Sequence, residues 1–390
     1  MRLASIDVLR AITMVLMLWV NDFWTLTGVP KWLTHAHATE DYLGFSDIIF
    51  PLFLFIVGLS IPHAIQSRLS KDADRLSTAK HIILRSLALL FIGFFMVNYE
   101  TIHSASMPIG RAVWCTLMAT GVFLIWLDWK KSPVPVKWHL PLQITGFVIF
   151  IVLAVIYKGG ESGELWMTPQ WWGILGLIGW AYLFNALVYL AARGNILVML
   201  ISWLVLNVLA VIDHSGMAFQ YGGFLRYFST IISGTVPAFT AAGIVATLLF
   251  TKLSEKNKNQ AYIVLTVLGM VCIVYGLATR PYWGISKIMG TPSWLGICSG
   301  IGFILFVIVY LMVDVKKWTG WTKIISPAGT ATFTCYMLPY FIYSFREFLG
   351  IRLPDGLNAG IVGLIGSFVY ALLVVALTGW LEKRRFKLKL

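Results

Sequence analysis

The sequence predicts an all-α fold, a polytopic bundle of about 10–12 transmembrane helices that forms a single domain over residues 1–390. The chain is 58% hydrophobic and only 12% charged, whereas a soluble domain carries about 25% charged residues. Its mean hydropathy is +0.80. The apolar residues gather in long runs that short polar segments separate, which is typical of helical membrane proteins.

Twelve apolar runs approach the length of about 20 residues that a helical span requires. Tryptophan and tyrosine gather at the ends of several runs, as is usual for residues at the membrane interface. We therefore expect one helix in each run. The runs lie near residues 8–26, 46–66, 82–98, 112–128, 139–157, 170–191, 195–212, 230–251, 260–278, 293–313, 324–344 and 359–381.

The charged loops indicate the orientation of the spans, because cytoplasmic loops are enriched in lysine and arginine. If the N-terminus is cytoplasmic and all twelve runs cross, 20 of the 30 Lys and Arg residues lie on the cytoplasmic side and 8 on the opposite side. Arg10 and Arg85 lie inside runs. The sequence therefore predicts that both termini are cytoplasmic and that the number of spans is even.

The net charge of +13 does not indicate a nucleic-acid-binding protein. That function would gather the positive residues on a soluble face, but here they lie in short loops between apolar runs. The four cysteines lie in apolar stretches and form neither a CxxC pair nor a cluster with histidine. We therefore expect buried thiols and no metal site.

Ionisable residues inside a span cost about 2.5–3.5 kcal/mol at the bilayer centre, which makes them candidates for function. Asp7 and Arg10 are three residues apart in the first run and share a helix face. We expect them to pair, either as a structural salt bridge or with Arg10 also receiving an anionic ligand from the cytoplasm. Asn21 and Asp22 lie at the outer end of the same helix, about 16 Å beyond Arg10.

The loop after the first run is rich in polar side chains. Ser46 or Asp47 is a suitable N-cap for the second helix. Pro51 and Gly58 predict a kink or a close approach to a neighbouring helix. The ionisable residues of the loop and of the start of the second run are His35, His37, Glu40, Asp41 and Asp47.

A histidine in this loop and the asparagine at the end of the first helix suit acyl transfer. An imidazole that titrates at about pH 6.5 can take a proton from an attacking amine. A carboxamide can donate a hydrogen bond to a carbonyl oxygen as negative charge develops on it. A transporter also places polar groups among its helices, so these residues alone do not separate an enzyme from a transporter.

The first sixty residues carry an ordered set of motifs. They are Ser5, Asp7 and Arg10; Val20 and Asn21; His37 and Ala38; and Asp47, Phe50 and Pro51. This set resembles the start of the heparan-alpha-glucosaminide N-acetyltransferase family, within the wider group of transmembrane acyltransferases. SGTVPAFTAAGI at 233–244, ISKIMGTPSWLGICSG at 285–300 and the stretch 326–340 are similar to later segments of that family. Ala11 replaces a glycine of the family pattern, which leaves the acceptor sugar open.

The resemblance implies an enzyme that moves acetyl from cytoplasmic acetyl-CoA to the amine of a terminal glucosamine on the far side of the membrane. It assigns the active histidine to His37, ten residues before Asp47, and the catalytic asparagine to Asn21. His35 is the second candidate for the histidine, because it breaks the ten-residue spacing. Asp47 and Asp7 are expected to support these residues.

Coenzyme A carries phosphates that should keep it at the basic cytoplasmic face, where Arg10, Arg85 and Lys80 are candidates to bind it. The sugar amine then attacks the thioester directly, with His37 as general base and Asn21 polarising the carbonyl. An acetyl-histidine intermediate is the variant of this mechanism, and it would show ping-pong kinetics.

Two other functions stay open on the sequence. A secondary transporter for sugars or organic acids would share the helices and the buried polar groups, and an O-acetyltransferase of envelope glycans would share the acetyl donor. We expect a multi-pass protein of a bacterial inner membrane. Its expected partners are an amino-sugar or glycan acceptor and membrane lipid, without nucleic acid, and a homodimer is left open.

Overall fold

The computed structural model of the chain describes residues 3–71, 74–216, 222–351 and 354–390. Over this part of the chain the fold is all-helical and contains no β-strand. Ten of the described helices are long and apolar enough to cross a membrane, and Arg111–Trp126 is a shorter apolar helix. The predicted fold class is therefore confirmed. The cytoplasmic location of the two termini stays a prediction.

Helices form in all twelve apolar runs. The largest difference in bounds is in the third helix, which begins at Arg75 rather than near residue 82, because a helix continues through polar residues that hydropathy does not count. The helices are α1 (Ala4–Asn21), α2 (Ser46–Leu69), α3 (Arg75–Glu100), α4 (Arg111–Trp126), α5 (His139–Val155), α6 (Ile174–Ala191), α7 (Ile196–His214), α8 (Ser229–Ile232), α9 (Thr235–Ser254), α10 (Lys258–Trp283), α11 (Pro292–Tyr310), α12 (Thr322–Thr330), α13 (Thr332–Phe348) and α14 (Gly360–Lys383).

The run at 324–344 differs from the expectation of one helix. It forms α12 and α13, which Ala331 separates with a non-helical backbone at φ −121° and ψ 42°. Hydropathy does not detect such a break, because it is an average over residues and contains no information on backbone angles.

The chain divides into two compact units, each built from segments that are distant in sequence. Unit 1 comprises Met1–Thr13, Pro30–Ala88 and Leu177–Thr322, and unit 2 comprises Met14–Val29, Leu89–Gly176 and Lys323–Leu390. The single domain over residues 1–390 stays a prediction.

Unit 1 is held together by close packing of α2 against α9. A Cβ atom on Gly58 would overlap the carbonyl oxygen of Thr240 and would press on Gly243. One turn further along, the hydroxyl of Thr247 donates a hydrogen bond to the carbonyl of Leu59 at 2.9 Å. Small residues let two helix backbones approach in this way, so the close approach expected at Gly58 is confirmed.

Unit 2 has an aromatic centre where α3, α4 and α5 meet. The ring of Trp114 is fully buried and lies nearly parallel to those of Phe95 and Tyr99, with centroids 6.1 and 6.0 Å away. Its indole nitrogen donates to the carbonyl of Leu153 at 3.3 Å. Such aromatic packing buries a large apolar area and satisfies the indole N–H.

The apolar faces differ in how much the protein covers them. The most apolar windows of α5, α7, α10 and α14 are only 17%, 22%, 28% and 33% buried, whereas those of α2 and α11 are each 67% buried. The first four helices therefore present apolar faces that suit contact with lipid. All four cysteines are free and buried, as predicted.

Candidate active site

One buried carboxylate organises the loop between α1 and α2. Asp47 is 1% exposed, and its Oδ1 lies 2.6 Å from Nδ1 of His35. Its Oδ2 accepts hydrogen bonds from the backbone N–H groups of Ala36 and Gly44, at 3.0 and 3.1 Å. These three donors fix the path of the loop. Each hydrogen bond stabilises the negative charge of Asp47, which would otherwise be buried without a partner.

The N-cap expected for α2 is wrong. The capping position is Phe45, whose side chain makes no cap, and both Ser46 and Asp47 lie inside the helix. The Ser46 hydroxyl donates to the carbonyl of Leu33. The Asp47 carboxylate accepts hydrogen bonds from the loop rather than from the N–H groups of the helix end. The first turn of α2 thus uses its polar residues for tertiary contacts.

The contact with Asp47 sets the tautomer of His35. In the neutral imidazole, a hydrogen bond from Nδ1 to the Asp47 carboxylate, at 2.6 Å, leaves Nε2 as the proton acceptor. The imidazole is about half exposed, with 44% of its side-chain surface accessible. His35 is therefore an oriented, accessible base in the sense that acid–base catalysis needs.

A lysine lies beside this histidine. Nζ of Lys287 is 3.3 Å from Nδ1 of His35. Burial lowers the pKa of the Lys287 ammonium below its ordinary value, and the negative charge of Asp47 opposes that shift. The three side chains form a compact cluster of carboxylate, imidazole and amine.

His37 has a different environment. Its backbone N–H donates to Oε2 of Glu40 at 3.1 Å, and Glu40 in turn pairs with Lys31 at 3.0 Å. The hydrogen bond from Lys31 is the main reason that the pKa of Glu40 lies below its ordinary value. The imidazole of His37 is exposed and makes no hydrogen bond to any described residue. The contacts thus orient His35 and not His37.

A second carboxylate ties the loop to the end of α10. Nε of Arg280 lies 3.0 and 2.9 Å from the two oxygens of Asp41. The N–H of Ile285 donates to the same carboxylate at 2.7 Å. Burial alone would raise the pKa of Asp41, but the hydrogen bonds from Arg280 and Ile285 outweigh it and lower this pKa below its ordinary value.

Three segments that resemble the family meet in unit 1. The indole of Trp294, from the Thr-Pro-Ser-Trp segment, donates to the carbonyl of Asp47 at 3.0 Å. Thr291 caps α11 by accepting from the N–H of Trp294. Thr235, from the Gly-Thr-x-Pro segment, donates to the carbonyl of Gly290 at 2.8 Å. Trp294 lies 247 positions from Asp47 in the sequence, so segments that are distant along the chain meet at the start of α2.

The predicted pair of Asp7 and Arg10 is confirmed. Their side chains form an ion pair at 3.0 Å, and Nη2 of Arg10 donates to the hydroxyl of Ser60 at 2.6 Å. Ser60 lies thirteen residues beyond Asp47 on α2, which corresponds to about 20 Å along a helix. Arg10 and His35 therefore lie at well-separated levels of unit 1.

The other basic candidates lie on α3. The guanidinium of Arg85 stands over the ring of Tyr182 at 5.0 Å, and its Nε is buried without a hydrogen bond to the described residues. Lys80 is exposed. The sequence interpretation missed His63, whose Nε2 is likewise buried without a partner in the described part of the chain. An ionisable residue inside an apolar run was the signal that could have identified it.

Asn21 is the last residue of α1 and is exposed. Its carboxamide makes no hydrogen bond to the residues that the structure describes, so its donor remains available to a ligand. Asn21 belongs to unit 2, whereas both candidate histidines belong to unit 1. Among the described residues, no three His, Cys, Asp or Glu side chains form a group that could hold a metal ion.

Comparisons with known proteins confirm the resemblance. The family model described as "Heparan-alpha-glucosaminide N-acetyltransferase, catalytic" matches residues 2–107. The heparan-alpha-glucosaminide N-acetyltransferase of Homo sapiens is 23% identical over 363 aligned residues, and that of Mus musculus is 25% identical over 368. Each alignment covers 82% of this chain and 50% of the relative. The chain thus spans about half the length of these curated relatives.

Proposed function

We propose that this chain, similar to the heparan-alpha-glucosaminide N-acetyltransferase family, is a transmembrane N-acetyltransferase. It moves acetyl from cytoplasmic acetyl-CoA to the amine of a glucosamine-type sugar on the opposite side of a bacterial inner membrane. The observation that carries the proposal is the oriented His35–Asp47 pair, around which the family-like segments gather. The ten long apolar helices among the described residues support the location in a membrane.

His35 is the base that the geometry favours. Its Nε2 takes a proton from the ammonium of the acceptor, and the free amine attacks the carbonyl carbon of the thioester. The C–N bond forms, the C–S bond breaks, and the leaving thiolate takes the second proton of the nitrogen. Asn21 donates to the carbonyl oxygen as negative charge develops there.

His37 is the alternative base, since it keeps the ten-residue spacing to Asp47 that the family motif has. In that case Glu40, which accepts from the backbone of His37, fixes the residue. An acetyl-histidine intermediate on either side chain would show ping-pong kinetics.

Acetyl-CoA is a substrate in this proposal, and no metal takes part. Its phosphates are bound by Arg10, Arg85 and Lys80 at the cytoplasmic side, and the buried nitrogen of His63 adds a further polar contact. Arg10 lies about 20 Å along α2 from Asp47, by the rise of a helix. An extended ligand can therefore hold its phosphates near Arg10 while its other end approaches the histidine.

Single histidine variants test the proposal. Purified protein receives labelled acetyl-CoA and glucosamine, and the acetylated sugar is quantified. We expect His35→Ala to lower kcat by about 10²-fold or more, because general base catalysis contributes on that order. The matched control is His103→Ala, a partly exposed loop histidine bound to Ser106, which should retain wild-type activity.

Each of the other outcomes has a defined meaning. A loss in His37→Ala with full activity in His35→Ala would assign the base to His37. Intact thioester in the wild-type assay would refute the enzyme and favour a transporter. Acetylation of N-acetylglucosamine would favour an O-acetyltransferase, because that sugar offers only hydroxyl groups.

A further inference from the structure

A buried carboxylate follows Asn21 directly. Asp22 is 6% exposed and lies where the chain leaves α1, in unit 2. The phenol of Tyr343 on α13 donates to its Oδ1 at 2.8 Å. The hydroxyl of Thr25 donates to the backbone carbonyl of Asp22 at 2.8 Å, and that of Ser367 donates to the carbonyl of Trp19 at 3.4 Å. These groups hold Asp22 in place, and none of them carries a positive charge.

No lysine or arginine of the described residues forms an ion pair with Asp22. Arg346 is the cation that acts on it electrostatically from a longer distance, and Nε of Arg346 donates to the carbonyl of Ile351 at 3.1 Å. A buried charge is unfavourable in the absence of an opposite charge. The position therefore favours a ligand that brings a positive group.

Aromatic rings pack against the tyrosine that binds this carboxylate. The ring of Trp24 packs edge-on against Tyr343, with centroids 5.5 Å apart, and the ring centroid of Tyr370 lies 5.7 Å from that of Tyr343. Trp24 is 72% exposed, so one of its faces is open to a ligand. Aromatic faces attract ammonium groups and the apolar C–H faces of sugar rings, and the phenols can bond to hydroxyl groups.

We propose that Asp22, together with Tyr343 and Trp24, binds the ammonium group of the amino-sugar acceptor before transfer. This inference rests on the proposed function and specifies the substrate class of its acceptor site. Asp22 adjoins Asn21 in sequence, so the bound nitrogen is held next to the residue that polarises the thioester. The acetylated product is neutral, loses the attraction to Asp22 and leaves.

The variant Asp22→Asn removes the negative charge and keeps a side chain of nearly the same shape. An asparagine oxygen can still accept from Tyr343, whereas the negative charge is gone. We expect the affinity for glucosamine to fall by about tenfold or more, since bonds to charged groups are the stronger ones, and the preference for glucosamine over N-acetylglucosamine to disappear. The affinity for CoA should stay unchanged. The matched control is Asp355→Asn, an exposed carboxylate of unit 2.

The measurement is calorimetric titration of the purified full chain at about pH 6.5, where a sugar amine is mainly protonated. The probes are glucosamine, N-acetylglucosamine and glucose. An unchanged affinity and preference in Asp22→Asn would overturn the inference, as would a wild-type protein that binds glucosamine no better than N-acetylglucosamine. If Asp22→Asn does not fold, Trp24→Ala decides, with the exposed Trp138→Ala as its control.

The variant Trp24→Ala removes a mostly exposed side chain and should weaken glucosamine binding several-fold without loss of folding. Wild-type affinity in this variant would overturn the inference and leave Trp24 as an interfacial anchor. The acetyl-transfer assay on the same wild-type sample distinguishes failure of the proposed enzyme function from failure of the amine site. Absence of transfer refutes the enzyme, whereas loss of amine binding in Asp22→Asn would still support the amine site.

Discussion

Single residues show how burial changes the role of a polar side chain. Aspartate commonly caps helices, but the Asp47 carboxylate accepts hydrogen bonds from His35, Ala36 and Gly44 and caps no helix. A buried carboxylate is stabilised by every donor that can reach it, and the loop supplies three. The result is a histidine with a fixed tautomer at the edge of an apolar bundle.

The variants Asp47→Asn and Glu40→Gln test which of the two histidines, His35 or His37, is the base. If His35 is the base, Asp47→Asn lowers kcat by about 10²-fold, because the imidazole loses the group that sets its tautomer, and KM changes little. Glu40→Gln then stays near wild type. Steady-state kinetics measure both values, and the unfolding temperature checks that Asp47→Asn is folded.

The reverse pattern would contradict this assignment. A large loss in Glu40→Gln with mild effects in Asp47→Asn would indicate that the backbone contact of His37 matters and that the His35–Asp47 pair is structural.

At the scale of elements, pairs of helices in unit 1 are joined by small residues and by threonine hydroxyl groups. Gly58 faces Thr240 and Gly243 across the contact of α2 and α9. Lipid tails are as apolar as side chains, so close backbone contact and hydrogen bonds, rather than exclusion of water, hold membrane helices together. The start of α2 carries Asp47, and its position therefore depends on this contact.

The variant Gly58→Ala tests the α2–α9 contact. The added methyl group overlaps backbone atoms that cannot move independently, and we expect a loss of about 1–3 kcal/mol in stability, as for overpacked cores. Thermal unfolding in detergent measures the effect. Gly110→Ala is the control, because a Cβ at Gly110 meets no atom within 4 Å. Equal unfolding temperatures for the two variants would argue against tight packing at Gly58.

At the scale of the whole molecule, the charged loops predict that both termini face the cytoplasm. The orientation determines which side Arg10 and His35 occupy, and therefore at which of the two residues the acetyl-CoA of the proposed function would enter. The four native cysteines are buried, so a thiol reagent should label the native chain little.

Cysteines introduced at two exposed loop positions test the orientation. A membrane-impermeant maleimide should label Glu161→Cys in intact cells, because this loop follows α5 on the predicted outer side. Lys256→Cys, between α9 and α10, should be labelled only after the cells are lysed. The opposite pattern would invert the topology and exclude acetyl-CoA binding at Arg10 from the cytoplasm.

The sequence by itself determined the membrane class, the approximate positions of the helices and the Asp7–Arg10 pair. Each depends on the local order of residues: hydropathy over about 20 positions sets a span, and a spacing of three sets a shared helix face. Family-like motifs also pointed to the loop between α1 and α2, where their spacing favours His37 and the contacts orient His35.

Only the tertiary structure decided which groups meet. Lys287 reaches His35 from 252 positions away, and Tyr343 reaches Asp22 from 321. A hydrogen bond forms or fails within a few tenths of an ångström, and helix packing sets distances on that scale. Composition and spacing do not carry that information, which is why the partners of Asp47 and Asp22 could not be read from the chain alone.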